Sequence, residues 1–157
     1  MNVHLEISRS NCQQICQYLA ETLSNTYILY IKTQNYHWNL IDPRFHFLHK
    51  MFEEQYEELA EQVDLIAERI RTLGSKTPAS MHEFLEIGTL SESEGDLTGN
   101  QMIEALLIDH EKIAGNLRGR IDSTVELGDQ GTADMLIQLL KSHEKTAWML
   151  RSHFVEE

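Results

Sequence analysis

Residues 45–73, FHFLHKMFEEQYEELAEQVDLIAERIRTL, decide the fold of this chain. Their apolar side chains recur in steps of three and four, which is the period of one buried face of an α-helix. That face comprises Phe45, Leu48, Phe52, Tyr56, Leu59, Val63, Ile66, Ile70 and Leu73. Asp42 and Pro43 predict an N-cap and first helical position, and Gly74 predicts the end. Such a long amphipathic helix needs partner helices to bury its apolar face.

Three more long helices are predicted around this one. Residues 9 to 37 carry a similar apolar repeat, and the short link to the next helix makes the two antiparallel neighbours. Thr98 begins a capping-box pattern for a third helix, and Asp129 caps a fourth. Residues 75 to 98 form a long connection with a short amphipathic helix inside it. The pattern predicts an all-α, ferritin-like four-helix bundle with a short extra helix between helices 2 and 3.

Length and composition restrict the possible functions. The chain has 157 residues, and we expect a single domain over 1–157 with a short N-terminal extension at 1–8. Thirteen basic against twenty-five acidic residues give a net charge of −12, which repels nucleic-acid phosphates and attracts cations. No leader-like start or apolar run of membrane-spanning length is present, so we expect a cytoplasmic protein without a membrane partner. Cys12 and Cys16 are expected to be small packing residues rather than a disulfide.

Five potential metal ligands stand at spacings that suit a site shared between chains. His49 and Glu53 are four residues apart, as are Asp64 and Glu68, and His37 ends the preceding helix. Fifteen helical residues separate His49 from Asp64, which is about 22 Å, so one helix cannot close both pairs on one metal. Two such helices crossing antiparallel about a two-fold axis would complete two equivalent sites. Imidazole and carboxylate ligands together favour iron.

Each of these residues also has a simpler explanation. His37 could bond a helix end, His49 could be a surface histidine, and Glu53 could belong to a solvated acidic face. Asp64 and Glu68 could pair with the neighbouring arginines of their own helix. The joint spacing of all five favours the metal site.

Several stretches, taken together, resemble the Dps family of ferritin-like proteins from starved cells. They are KTQNYHWN at 32–39, FHFLH at 45–49, FEEQY at 52–56, DLIAERI at 64–70, GTAD at 131–134 and HEKTAWML at 143–150. The resemblance covers almost the whole chain. It implies a hollow dodecamer that oxidises ferrous iron, usually with hydrogen peroxide in preference to oxygen, and stores the ferric mineral.

The resemblance also implies roles for individual residues. His37, His49 and Glu53 of one chain, with Asp64 and Glu68 of a second copy, match the family's two-histidine, three-carboxylate ferroxidase pattern, which holds two irons per inter-subunit site.

Outside that pattern, Asp129 and Asp134 match residues that line negative three-fold pores, although Asp129 is equally explained as a helix cap. His110 and His143 stand at core positions, where we expect buried histidines with hydrogen-bond partners rather than ligands.

Many relatives bind DNA through lysine-rich tails, and this sequence departs from that pattern. Its first thirty-one residues contain Arg9 and no lysine, and its last four are FVEE. Direct DNA binding is therefore not expected.

We expect an iron-storage ferroxidase that protects DNA from oxidative damage, with ferrous iron and hydrogen peroxide as substrates. The alternative is a nucleoid-associated, DNA-compacting protein with secondary iron binding. A diiron oxygenase would need Glu-x-x-His repeats, which the sequence lacks. A purely structural helical oligomer would show no iron-dependent catalysis.

Overall fold

The computed structural model describes residues 4–154, and the regular secondary structure within them is all α-helix. The helices are α1 (Arg9–Asn39), α2 (Phe45–Thr72), α3 (Met81–Ile87), α4 (Gly99–Glu126) and α5 (Gln130–Arg151). α1 packs along α2, α4 packs along α5, and the short α3 lies against α1. The predicted four-helix bundle with a short extra helix in its long connection is confirmed. No helix of this described part is long and apolar enough to cross a membrane.

The apolar stripes of the four long helices meet in one core. Its fully buried side chains include Leu19, Leu23, Phe52, Leu59, Ile66, Ile70, Ile103, Leu106, Leu136 and Leu150. Burying one such side chain contributes roughly 1.5–3 kcal/mol, so this core dominates the stability of the bundle. The stripe predicted on α2 therefore faces inward along most of its length, whereas its first member, Phe45, is 45% exposed. The opposite flanks are left for charged residues.

Most helix ends form where the sequence predicted them. Thr98 and the side chain of Gln101 complete a reciprocal capping box at the start of α4. Asp129 accepts a hydrogen bond from the backbone N–H of Thr132 at 2.9 Å at the start of α5. Gly74 and Gly128 end α2 and α4 with φ angles of 90° and 88°, the left-handed region where a side chain would be strained.

The predicted N-cap of α2 is wrong. The helix begins at Phe45 with Arg44 in the cap position, and no side chain caps it. The carboxylate of Asp42 instead accepts bonds from the backbone N–H of Arg44 at 2.8 Å and from its guanidinium at 2.9 Å. Asp commonly bonds the backbone two residues onward, and here that turn competes with capping. The same two bonds lower the Asp42 pKa to about 2.

Two buried polar contacts tie the other elements to α1. Lys32 pairs with Asp109 of α4 at 2.6 Å, and both side chains are almost fully buried. The buried amide of Asn25 accepts from the backbone N–H groups of Thr89 and Leu90, at 2.7 and 3.1 Å. The long connection is thereby held against the same face of α1 that α3 covers.

Candidate metal centre

The ends of α1 and α2 bring His37 and His49 into contact. Their rings stack with centroids 3.7 Å apart and planes 15° from parallel. His37 Nδ1 lies 2.7 Å from the carbonyl oxygen of His49, and His49 Nδ1 lies 2.8 Å from the carbonyl oxygen of His37. A ring nitrogen next to a carbonyl must carry the proton, so each neutral ring keeps a lone pair on Nε2. A backbone-anchored Nδ1 with a free Nε2 is how histidine commonly binds metals.

Aromatic neighbours fix both imidazole rings. Phe45 stacks on His49 at 4.9 Å between centroids, and Tyr56 meets His37 edge-on at 5.2 Å. His37 is 6% exposed, whereas His49 is half-buried. These contacts hold both rings in place, and the half-buried His49 leaves one edge of the pair open to solvent.

Glu53 lies one turn beyond His49, but its carboxylate is taken by a neighbour. Lys50 Nζ is 2.6 Å from Glu53 Oε2. This bond and the charge of Lys50 lower the pKa of Glu53, and the nearby His37 and His49 lower it slightly further. Glu53 is thus ionised close to the histidine pair, and an arriving cation would compete with the Lys50 ammonium for it.

Asp64 and Glu68 lie on the exposed surface toward the other end of α2. Within residues 4–154 neither carboxylate has a hydrogen-bonding or ion-pairing partner. The alternative pairing with Arg69 or Arg71 does not form. Arg69 binds Asp129 at 2.9 Å, and Arg71 donates to the backbone carbonyl of Ser75 at 2.8 Å. The two carboxylates are therefore free to take a cation.

One chain does not assemble a metal site from these parts. In the described range, no three His, Cys, Asp or Glu residues are placed to hold a metal ion. The histidine pair, formed by His37 of α1 and His49 of α2, lies near the start of α2, whereas the carboxylate pair lies toward its other end, so a site that uses both needs a second chain. A metal site formed by the five predicted ligands therefore remains a prediction.

Asp129 and Asp134, the two predicted pore residues, have different surroundings. Asp129 is 3% exposed and serves the α5 cap and the ion pair with Arg69, which are local structural roles. Asp134 is exposed on α5. Only Asp134 has a carboxylate accessible in the single chain.

Three side chains around the histidine pair were not predicted from the sequence. Lys50 stands three residues before Glu53, a spacing that itself indicates an ion pair. Phe45 and Tyr56 were assigned only to the core stripe of α2. The stacking on His49 and the edge contact with His37 depend on how α1 crosses α2, which no local pattern contains.

Comparison with known proteins places this architecture in context. A family model for the ferritin-like domain matches residues 16–156. A low temperature-induced protein of Nostoc is 43% identical over 98% of this chain and 87% of its own length. The DNA protection during starvation protein 2 of Bacillus anthracis is 36% identical over 89% of this chain and 96% of its own.

Solved structures of Dps proteins superpose closely on this fold. Dps from Thermosynechococcus elongatus superposes with a TM-score of 0.91 at 32% identity, covering 94% of each chain. Dps from Vibrio cholerae, described as one of a broad superfamily of ferritin-like diiron-carboxylate proteins, has a TM-score of 0.91 at 28% identity. It covers 97% of this chain and 96% of its own.

Proposed function

This chain belongs to the Dps family of ferritin-like proteins, and from that premise we propose that it is a cytoplasmic ferroxidase that oxidises and stores iron. Ferrous iron is the substrate, hydrogen peroxide is the preferred oxidant, and a hollow dodecamer holds the ferric mineral. By removing both reactants of hydroxyl-radical formation, the protein would protect DNA from oxidative damage.

The observation that carries this proposal is the bonding of the histidine pair. Both Nδ1 atoms of His37 and His49 are bound to backbone carbonyls, so both Nε2 lone pairs are available to iron. The bond from His49 Nδ1 also satisfies a carbonyl in the last turn of α1, a structural role that leaves Nε2 free for a metal.

The second half of the site would come from another copy of the chain. Asp64 and Glu68 are exposed, unpaired and one turn apart, so both can face the same ion. Large apolar side chains next to each half-site are also exposed, with Phe47 at 59% and Leu65 at 55%. Exposed apolar surface beside unpaired carboxylates suits a subunit interface better than open solvent.

The ligand types suit oxidation of iron. Neutral imidazoles bind ferrous iron well, and anionic carboxylates stabilise the more highly charged ferric product. Peroxide accepts two electrons, so two ferrous ions, one peroxide and two protons give two ferric ions and two waters. We propose that one iron binds tightly to His49, Asp64 and Glu68, and that Glu68 bridges to a weaker position near His37 and Glu53.

Iron would enter where carboxylates gather around a three-fold axis. Asp134 is the accessible carboxylate at the family's pore position, and a ring of three would concentrate cations at the opening. The net charge of −12 on each chain favours the same approach.

The experiment that tests the function is anaerobic ferrous loading followed by peroxide, with ferric absorbance recorded over time. We expect rapid oxidation by the wild type and its loss in Asp64→Ala/Glu68→Ala, with assembly intact by gel filtration. Glu57→Ala/Glu61→Ala removes two exposed carboxylates at the same spacing on the same helix, and it should keep the rate for the first irons bound. Equal rates in the wild type and the Asp64/Glu68 variant would contradict the proposal.

A further inference from the structure

A row of tyrosines runs between α1 and α2, starting at the histidine pair. Tyr56 lies edge-on to His37 with centroids 5.2 Å apart. Tyr30 follows at 6.0 Å from Tyr56, and Tyr27 at 6.1 Å from Tyr30, each ring nearly perpendicular to the last. These spacings are those of aromatic rings in direct contact. The three rings, here called the tyrosine row, form an unbroken path.

The far end of the tyrosine row reaches the carboxylate half of α2. Tyr27 and Asp64 line the same cavity of about 330 Å³ below α3, and Phe84 stacks on Tyr27 at 4.3 Å. The row thus begins beside His37 and ends at a cavity that Asp64 also lines. In the proposed two-fold dimer those residues serve different metal sites, so each chain would link the two sites by its own row.

Such a link matters when iron is scarce. With the tight positions filled first, each site of a dimer holds one ferrous ion, but peroxide needs two electrons. If only one electron arrives, peroxide splits to hydroxide and a hydroxyl radical. A path to the ferrous ion of the second site would supply the missing electron.

We propose that Tyr56, Tyr30 and Tyr27 carry one electron between the two iron sites of a dimer, so that two singly loaded sites reduce one peroxide to water. This inference rests on the proposed ferroxidase function. The peroxide at one site takes one electron from the local ferrous ion and one from the adjacent tyrosine. That tyrosine loses its phenol proton with the electron and becomes a neutral radical.

The radical then moves along the row and is quenched at the far end. Each radical takes an electron from the next phenol and a proton from solvent, while the newly oxidised phenol releases its own proton. The last radical is reduced by the ferrous ion of the second site and takes up a proton. Two ferrous ions become ferric, two protons are taken up in all, and every tyrosine is restored.

The local chemistry of the row suits this role. Tyr30 Oη accepts a hydrogen bond from Gln34 Nε2 at 3.0 Å, which fixes the middle ring.

The competing explanation is that these tyrosines only pack between the helices. Tyr30→Phe separates the two, because phenylalanine keeps the ring but cannot form a phenoxyl radical at accessible potentials. Tyr27→Phe is a second break in the same path. Tyr18→Phe is the matched control, because Tyr18 lies under Arg120 at 4.3 Å and belongs to no contact of the row.

The experiment uses the assembled protein, loaded anaerobically with one ferrous ion per inter-subunit site and mixed with peroxide. Freeze-quenched samples are examined by electron paramagnetic resonance, and a spin trap measures released hydroxyl radical. In the wild type we expect a transient tyrosyl signal that narrows when the tyrosines are ring-deuterated, and little trapped radical. Tyr30→Phe and Tyr27→Phe should lose that signal and release more hydroxyl radical, while Tyr18→Phe should match the wild type.

The possible outcomes distinguish the electron path from the proposed ferroxidase function. Rapid iron oxidation in the wild type, with the same tyrosyl signal and the same amount of trapped hydroxyl radical in Tyr30→Phe, would overturn the electron path. It would leave the ferroxidase proposal standing. No peroxide-driven oxidation in the wild type would overturn both. An excess of trapped hydroxyl radical in Tyr30→Phe that is largest at one iron per site, and that shrinks as the second iron position fills, supports the electron path.

Discussion

Two histidine pairs in this bundle illustrate how local bonding decides the role of a residue. His37 and His49 each anchor Nδ1 on a carbonyl and keep Nε2 for a ligand. His110 and His143 instead share one bond between their Nδ1 atoms at 2.9 Å, in the core between α4 and α5. One ring must donate and the other accept, so the second pair cannot carry two positive charges.

The core pair was predicted to be buried with hydrogen-bond partners, and each ring has one partner, the other ring of the pair. Both rings are almost completely buried, but neither Nε2 has a partner among the described residues. Burial lowers the pKa of His143 to about 4, and burial together with the charge of His143 lowers the pKa of His110. Helical periodicity identifies a core position, but it does not show which atoms will meet across the core.

This buried pair predicts a loss of stability in acid. A histidine whose pKa is lowered in the folded state favours folding fully above its unfolded pKa of about 6.5. That contribution disappears as the pH falls toward about 4, costing up to about 3 kcal/mol for His143 alone.

Chemical unfolding at about pH 7.5 and about pH 4.5 measures this loss. Replacing both residues by leucine should flatten the pH dependence, whereas His82→Leu, at an exposed site on α3, should leave it unchanged. An equally steep loss in the leucine variant would show that other groups control acid stability.

At the scale of elements, the Lys32–Asp109 pair joins the two helix pairs of the bundle. Both side chains are buried, at 7% and 6% exposure, and only one bond of 2.6 Å links them. A buried charge left without its partner is very costly, while removing both charges together can be neutral.

Lys32→Met should therefore destabilise the protein by about 3–5 kcal/mol, and Lys32→Met/Asp109→Leu should recover most of that loss. The control is Arg151→Met, which breaks the exposed pair with Glu111 and should cost less than about 1 kcal/mol. Urea unfolding at one fixed protein concentration compares the three. A double variant as unstable as the single would mean that Lys32 acts through packing.

The elements themselves were largely predictable because their signals are local. The period of three and four, the capping box at Thr98 and the stop at Gly74 each depend on residues within one or two turns. The cap at Asp42 failed for an equally local reason, since two short-range bonds competed for one carboxylate. The partner of Lys32 was not foreseen, because it is seventy-seven residues away in sequence.

For the whole molecule, charge sets the expected behaviour toward nucleic acid. A net charge of −12 makes DNA phosphates repel the chain, and salt weakens any remaining basic contact.

We expect no gel shift of linear DNA at about 0.15 M salt without divalent cations. The same protein with an added lysine-rich segment serves as the positive control. A shift by the unmodified protein under these conditions would favour the nucleoid-compacting alternative.

The sequence predicts the two halves of the candidate site and, from their separation along α2, that a second chain must join them. Spacing along α2 pairs His49 with Glu53 and Asp64 with Glu68, and the short link to α1 brings His37 nearby. The closing of these halves on one ion depends on a second copy, and the single chain holds no group of three ligands in its described residues.

Complementation between two inactive variants tests the shared site most directly. One variant carries His37→Ala/His49→Ala and the other Asp64→Ala/Glu68→Ala, and they are unfolded and reassembled alone or mixed. A mixed dimer would contain one fully mutated site and one with all five ligands intact. Random mixing should therefore restore about a quarter of wild-type peroxide-driven iron oxidation. If the mixture stays as inactive as its parents while mixed assemblies form, the two halves do not meet across a subunit interface.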